Sequence, residues 1–173
     1  MFIQNPTLTN GNSSITHAFQ AGNSFNVIYD NVKTINFQGE INIDASKEFN
    51  IGASINYANF TPENQDEVWN TPEMKATISA NFNNNSWFAG TKLFYRGTTK
   101  DLVFSNILVP LNGEIIENES YIDLNLNGGY IFSDRLSAFA KVNNALGKKY
   151  FSYINFQVQT LQILAGITYK FDL

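Results

Sequence analysis

The chain of 173 residues lacks the residue types on which several kinds of chemistry depend. It has no cysteine, which excludes disulfides and thiolate catalysis. Its one histidine, His17, cannot form a metal cluster or a catalytic triad unaided, and we expect it to be an ordinary loop residue. No phosphate-binding loop or dinucleotide fingerprint is present. The sequence therefore predicts a protein that is not an enzyme and that holds no metal and no cofactor.

Charge and long apolar runs are also scarce. Charged residues make up 15% of the chain, whereas about a quarter is usual in soluble domains. The few Lys and Arg residues are scattered, so we expect no nucleic-acid partner. No run of about 18 apolar residues exists, which excludes a membrane helix. Met1–Gln4 shows no signal-peptide pattern, so if the protein is exported we expect that its signal has been removed or that the chain belongs to something longer.

Aromatic residues are abundant, at 14% of the chain, yet the mean hydropathy is only −0.20. The segment Val158–Leu173 shows how the two combine. Every second residue from Leu161 to Leu173 is apolar or aromatic, and the intervening residues are mostly polar. A period of two separates the faces of a β-strand. The length and alternation are typical of a strand that crosses a bilayer in a β-barrel.

The same alternation recurs along the chain and predicts seven further strands. They are Ser24–Asp30 (the end of a strand), Lys33–Ala45, Phe49–Phe60, Glu73–Phe82, Trp87–Gly97, Ser120–Phe132 and Leu136–Leu146. Short links alternate with three long connections, which are Thr61–Pro72, Thr98–Glu119 and Gly147–Gln157. Outer-membrane barrels have this rhythm, with short periplasmic turns and long outer loops.

The polar faces of these strands favour lipid over a soluble sheet. They are rich in Asn, Thr, Ser, Gln and Gly rather than in Lys, Glu and Asp. Aromatic residues gather at both ends of the strands, as in two interfacial girdles. We predict an all-β fold: an antiparallel transmembrane β-barrel of about eight strands over residues 24–173, after an N-terminal loop or linker at residues 1–23. A soluble β-rich binding domain is the alternative.

Two C-terminal segments resemble a known family. Val142-Asn143-Asn144-Ala145-Leu146-Gly147-Lys148-Lys149-Tyr150 resembles the V-x-N-hydrophobic-x-x-K-x-Y segment of TonB-dependent outer-membrane receptors. Gly166-Ile167-Thr168-Tyr169-Lys170-Phe171 resembles their terminal barrel-assembly signal, here Gly166, Tyr169, Phe171 and Leu173. Phe25–Val32 and Trp69–Glu73 are similar to segments of such receptors from Bacteroidetes-type bacteria.

The resemblance implies an importer of scarce nutrients such as siderophores, cobalamin or glycans, in the bacterial outer membrane. A receptor of this family has a 22-stranded barrel, a plug domain and a TonB partner. The implied partners are therefore outer-membrane lipid, the barrel-assembly machinery, a plug domain and TonB. With about eight strands, the chain would be part of such a barrel or a self-contained small barrel with a structural, adhesive or lipid-modifying role.

Ionisable residues on the predicted inward face are the candidate site residues. The lumen-facing candidates are Glu40, Asp44, Glu73, Lys75, Lys92, Arg96, Asp123 and Lys141, with Lys170 as a further member. Either they pair with one another in the wall, or they face a plug or a solute. The segment Leu102–Leu111 is unusually apolar for a loop. It contacts a partner or ligand, or its flanking strands extend and pair beyond the membrane.

Overall fold

The computed structural model describes residues 2–4, 25–103, 114–153 and 156–171 of the chain. All regular structure in these ranges is β-strand, which confirms the all-β prediction. The strands are β1 Phe2–Gln4, β2 Phe25–Val27, β3 Val32–Asp44, β4 Phe49–Pro62, β5 Met74–Asn83, β6 Trp87–Arg96, β7 Thr99–Val103, β8 Glu114–Asn118, β9 Tyr121–Ser133, β10 Leu136–Asn143, β11 Phe151–Tyr153, β12 Phe156–Gln157 and β13 Gln162–Tyr169.

Seven of these strands form one antiparallel sheet in the order β13-β10-β9-β6-β5-β4-β3. Each strand pairs with the sheet strand that precedes or follows it along the chain. Turns of a few residues join β3 to β4, β5 to β6 and β9 to β10, and the long connections lie at the opposite end of the sheet. Within the described ranges the sheet does not close, and β3 and β13 are its edges.

The pairing register aligns the apolar faces of all seven strands. Across the middle of the sheet, Ala53 pairs with Ile78 and Ile78 pairs with Leu93. Leu93 in turn pairs with Leu124. Most of this face is uncovered, so that Phe37 is 66% exposed and Ile167 is 74% exposed. Since period-two strands in this register put all their apolar residues on one side, the sheet has one apolar and one polar face.

Aromatic side chains border the apolar face near the short turns. Trp87 and Tyr130 pair across β6 and β9 in an edge-to-face contact with ring centroids 4.8 Å apart. Tyr169 makes the same kind of contact with Phe171. Phe49 pairs with Phe82 on the same apolar face, nearer to the β3 edge of the sheet. The aromatic residues at the short-turn ends of these strands therefore lie together in one band, which matches one of the two predicted girdles.

The predicted strand Ser24–Asp30 is not part of the main sheet, which corrects the strand count to seven. Only Phe25–Val27 is extended, and it pairs with β1 in a separate two-stranded sheet. The carboxylate of Asp30 ends the extended segment by accepting hydrogen bonds from the backbone N–H groups of Asn31 and Asn64. Periodicity identified extended chain but could not identify its partner. His17 lies outside the described residues.

Two strands are shorter than predicted. β10 ends at Asn143 instead of Leu146, because Asn144 and Gly147 adopt positive φ angles of 48° and 62°. β13 begins at Gln162 instead of Val158, because the N–H of Val158 bonds the carbonyl oxygen of Tyr150 within the connection. The interpretation of residues 158–173 as one strand was therefore wrong at its start.

The long connections carry short hairpins of their own. β7 pairs with β8, and β11 pairs with β12. The pairing of β7 with β8 supports the alternative in which strands extend and pair beyond the sheet. Residues 104–113, which include most of the apolar segment Leu102–Leu111, lie outside the described residues. No helix in the described ranges is long and apolar enough to span a membrane.

Candidate functional site

The polar face of the sheet holds the site residues predicted from sequence. Side chains that share the face of Asn42, Ser79 and Asn127 include seven of the eight lumen-facing candidates, by strand alternation and register. The seven are Glu40, Asp44, Lys75, Lys92, Arg96, Asp123 and Lys141. The eighth, Glu73, directly precedes β5 and lines a cavity of about 450 Å³ together with Glu67 and Lys100. Their role as lumen residues stays a prediction.

The charges on this face are separated rather than paired. Glu40 and Asp44 lie on the edge strand β3, where they accept hydrogen bonds from the side-chain amides of Asn42 and Asn50 at 2.8 Å each. The cations lie on β5, β6 and β10. Among the described residues, no ion pair joins two charged residues of this face, and both alternatives for these candidates stay predictions.

Two cations are direct neighbours. Lys75 on β5 and Arg96 on β6 are cross-strand partners, so their side chains leave the same face at the same level. Like charges directly opposite each other destabilise a sheet. Lys92 lies four residues before Arg96 on β6, opposite Ser79, with Phe94 between them on the same face. A cationic strip thus runs along β5 and β6 towards the long connections.

The guanidinium of Arg96 joins two of those connections. Its Nη2 donates to the carbonyl oxygen of Asn70 at 3.1 Å, and its Nη1 donates to that of Ser152 at 3.3 Å. Asn70 lies in the first connection, between β4 and β5, and Ser152 lies in the third, between β10 and β13. Both acceptors are neutral backbone groups, which are weaker partners for a guanidinium than carboxylates or phosphates.

A second tie holds the third connection against the same face. The ring of Tyr150 stacks on Tyr121 with centroids 3.8 Å apart and an interplanar angle of 10°. Its hydroxyl donates to Oδ2 of Asp123 at 2.9 Å. Burial raises the pKa of Tyr150, and the hydrogen bond to the Asp123 carboxylate raises it further. The segment that contains Tyr150 and Ser152 therefore lies across the polar face, and we call residues 148–153 the strap.

Asn144 turns the chain into the strap. Its side chain is 3% exposed, and Nδ2 donates to the carbonyl oxygens of Lys148 at 2.7 Å and Gln159 at 3.4 Å. Its backbone N–H donates to Oδ1 of Asn125 at 3.3 Å. Asn tolerates the left-handed conformation better than most residues, so one residue supplies both the bend and its bonds. The motif that suggested a family resemblance thus has a structural role.

The first connection is packed against the second. Trp69 is 2% exposed and forms an isolated parallel bridge with Lys100, whose carbonyl oxygen accepts the N–H of Asn70 at 2.7 Å. Lys100 also forms a salt bridge with Glu67, and that hydrogen bond raises the pKa of the Lys100 ammonium. Sequence patterns alone did not single out these contacts. The one sign of packing in the sequence is that this mostly polar connection contains Trp69 and Pro72.

Asp30 fixes the other end of the first connection. Its carboxylate accepts hydrogen bonds from the backbone N–H groups of Asn64 and Gln65, at 3.0 Å each. Burial raises the pKa of Asp30, but the hydrogen bonds from Asn64, Gln65 and Asn31 together outweigh it and leave the pKa below its usual value. Long connections are therefore held at several points rather than at their ends alone.

The predicted assembly signal occupies the edge of the sheet. Gly166 and Tyr169 lie in β13 and Phe171 follows it, whereas Leu173 lies outside the described residues. Gly166 has a physical reason to be glycine, because a Cβ there would lie 2.7 Å from Cζ of Phe139. The recognition role of these residues stays a prediction. No group of three or more His, Asp or Glu in the described part of the chain could hold a metal ion.

Solved structures with a similar fold include outer-membrane receptors. The chain superposes on the pyoverdine outer membrane receptor FpvA from Pseudomonas aeruginosa PAO1 with a TM-score of 0.70 and 19% identity, over 81% of this chain and 22% of that one. For the copper transporter OprC the TM-score is 0.61 at 13% identity, over 81% and 24%. For the ferric enterobactin receptor PfeA from Pseudomonas aeruginosa it is 0.57 at 13%, over 78% and 22%.

These likenesses identify the fold and not the family. The fold part of the prediction is confirmed: the antiparallel sheet of this chain superposes on part of these receptor structures. The chain spans about a fifth of the length of the structures that it matches. No family model and no curated protein matches the chain. The narrower assignment to Bacteroidetes-type bacteria stays a prediction.

Proposed function

We propose that the chain supplies seven adjacent strands of an outer-membrane β-barrel in an importer of scarce nutrients. The observation that carries the proposal is the apolar face, which continues across all seven strands in one register. A soluble protein rarely exposes so large an apolar surface, whereas a bilayer covers it. The exposed Ile35, Phe37, Ile163 and Ile167 support lipid contact over the soluble alternative.

The free edges support a barrel larger than this sheet. β3 and β13 each have one neighbour in the sheet, and β2, the candidate closing strand, pairs with β1 instead. In lipid, unpaired backbone groups cost several kcal/mol each, so both edges need further strands. A self-contained eight-stranded barrel therefore has less support than a larger barrel, such as the 22-stranded one that the sequence resemblance implies.

The substrate class follows from the resemblance and the neighbours. FpvA is described as bound to pyoverdine, PfeA as a ferric enterobactin receptor and OprC as a copper transporter. We propose a siderophore, cobalamin or glycan substrate, with siderophores best supported by the neighbours. A plug domain and TonB are the proposed partners for energised uptake, and the barrel-assembly machinery is the proposed partner for insertion.

Cell fractionation tests the membrane part of the proposal. The protein should sediment with outer membranes, resist carbonate extraction and require detergent for solubility. Folded protein that stays soluble and monomeric without detergent or lipid would contradict it.

Uptake assays test the transport part separately. Deletion of the gene should abolish growth when one of three substrates, chelated iron, cobalamin or a glycan, is the sole source of its nutrient. A plasmid copy of the gene should restore growth. Unchanged growth on every class would contradict the importer proposal while leaving the membrane location intact.

A further inference from the structure

The positively charged guanidinium of Arg96 donates its hydrogen bonds to uncharged groups. Among the described residues, its hydrogen-bond acceptors are the carbonyls of Asn70 and Ser152, and no carboxylate forms an ion pair with it. A guanidinium binds a planar anion through two parallel hydrogen bonds more strongly than it binds two separate neutral carbonyls. Arg96 is therefore held by weak partners that a carboxylate or phosphate would displace.

Lys75 adds a second, independent indication of an anion. It is the direct cross-strand partner of Arg96 on the same face, and such a pair of like charges opposes pairing of the strands. An anion between the two side chains would remove this repulsion. The nearest acid along the neighbouring strand, Asp123, already accepts the hydroxyl of Tyr150.

The contacts of Arg96 connect anion binding to a movement of the chain. Its two acceptors lie in two different connections, which are 26 and 56 residues away in sequence. The attachments of the strap to the polar face include the Arg96 bond to Ser152, the Tyr150–Asp123 hydrogen bond and the stacking of Tyr150 on Tyr121. Loss of the Arg96 bond would remove one of these attachments and leave the others in place.

We propose that Arg96 and Lys75 form an anion-recognition site at the long-connection end of the polar face, and that Arg96 also acts as a latch. A carboxylate or phosphate group of an entering solute binds the guanidinium of Arg96. The hydrogen bonds from Arg96 to the carbonyl oxygens of Asn70 and Ser152 are then broken. The strap keeps its Tyr150 and Asn144 attachments, but it opens from the polar face more often. The physiological meaning rests on the proposed import function, but the latch is a property of the folded chain.

The absence of cysteine from the chain allows a direct test. In Ser152→Cys, the new thiol is unique, and the carbonyl that Arg96 bonds is retained because it belongs to the backbone. The measured quantity is the rate of maleimide alkylation of the full chain in detergent, with citrate as the anionic probe. Sodium chloride at equal ionic strength separates site binding from general screening.

We expect citrate to raise the alkylation rate about tenfold, as local opening of the strap becomes favourable. When Arg96→Gln is added to Ser152→Cys, the alkylation rate should be fast without citrate, and citrate should not raise it further. Arg96→Lys keeps the charge, but a single ammonium cannot replace the fork of the guanidinium, so its rate without citrate should lie between the two. Lys75→Gln should raise the citrate concentration needed for half of the response.

Two controls make the result decisive. Ser137→Cys lies on the same face at the short-turn end, so its alkylation should not respond to citrate. The Arg96→Lys variant keeps the test valid if Arg96→Gln does not fold. A rate that responds equally to citrate and to sodium chloride, or a response that persists without Arg96, would overturn the latch. Neither result bears on membrane location or transport, which the fractionation and uptake assays test.

Discussion

The hydroxyl of Tyr150 donates a 2.9 Å hydrogen bond to Oδ2 of Asp123, and this bond ties the third connection to the polar face of β9. Hydrogen bonds to charged groups stabilise proteins by about 1.5–3 kcal/mol. In a double-mutant cycle, Tyr150→Phe and Asp123→Ala should each lower the free energy of unfolding by about 1.5 kcal/mol. The double variant should lose less than the sum, because both changes remove the same bond. Full additivity in denaturant titrations would contradict the contact.

The same bond predicts a loss of stability at alkaline pH. The folded protein holds the pKa of Tyr150 above the ordinary value of 10.0. The contribution of the neutral phenol is therefore complete below that pH and is lost as the pH rises above it towards the folded pKa. Ultraviolet difference absorbance measures how many Tyr phenols ionise near pH 10. In the wild type this number should be one below the Tyr content, because Tyr150 stays neutral at that pH. The Tyr150→Phe variant should lose less stability than the wild type at alkaline pH, because it has no phenol at this position.

Glycine substitutions should follow a graded order set by what a new Cβ would meet. At Gly39 the nearest atom would be 3.6 Å away, so Gly39→Ala should be tolerated. At Gly166 the ring of Phe139 would be 2.7 Å away and must rotate, which should cost about 1 kcal/mol. At Gly129 the backbone oxygen of Ala138 would be 2.5 Å away and cannot move freely, so Gly129→Ala should cost about 3 kcal/mol. Thermal unfolding in detergent measures the order, and equal effects at the three sites would contradict the packing.

Lysine substitutions at neighbouring residues should distinguish the two faces of the sheet. Ile78 is 55% exposed on the apolar face, and Thr77 precedes it on the polar face, opposite the uncharged Phe94. A lysine on the lipid face near the bilayer centre costs about 2–4 kcal/mol, whereas one on the lumen side costs little. Ile78→Lys should therefore reduce the folded fraction in lipid vesicles, and Thr77→Lys should not. Equal folding yields would mean that lipid does not cover the apolar face.

The strands were predictable because their signal is local. A period of two from Lys33 to Ala45 or from Phe49 to Phe60 marks both faces without reference to any partner. The alternation likewise put Lys75 and Arg96 on one face. It failed at Ser24–Asp30, because a short alternating run does not determine which strand it pairs with.

The contacts of the candidate site were not predictable in this way. Arg96 bonds carbonyls that are 26 and 56 residues away, and every residue has a carbonyl. No side-chain pattern can identify such acceptors. Asn144 was visible as part of a motif, but its left-handed backbone and its two carbonyl partners appear only in the folded chain.

The strand order has a consequence for how the sheet is made. Every pairing in β13-β10-β9-β6-β5-β4-β3 joins strands of this sheet that are successive along the chain, apart from the short hairpins β7–β8 and β11–β12 in the connections. No strand must wait for a partner from a distant part of the sequence, so the contact order of the sheet is low and the entropy of loop closure is small at each step. The sheet can therefore grow vectorially, one hairpin at a time, with each finished strand serving as the template for the next.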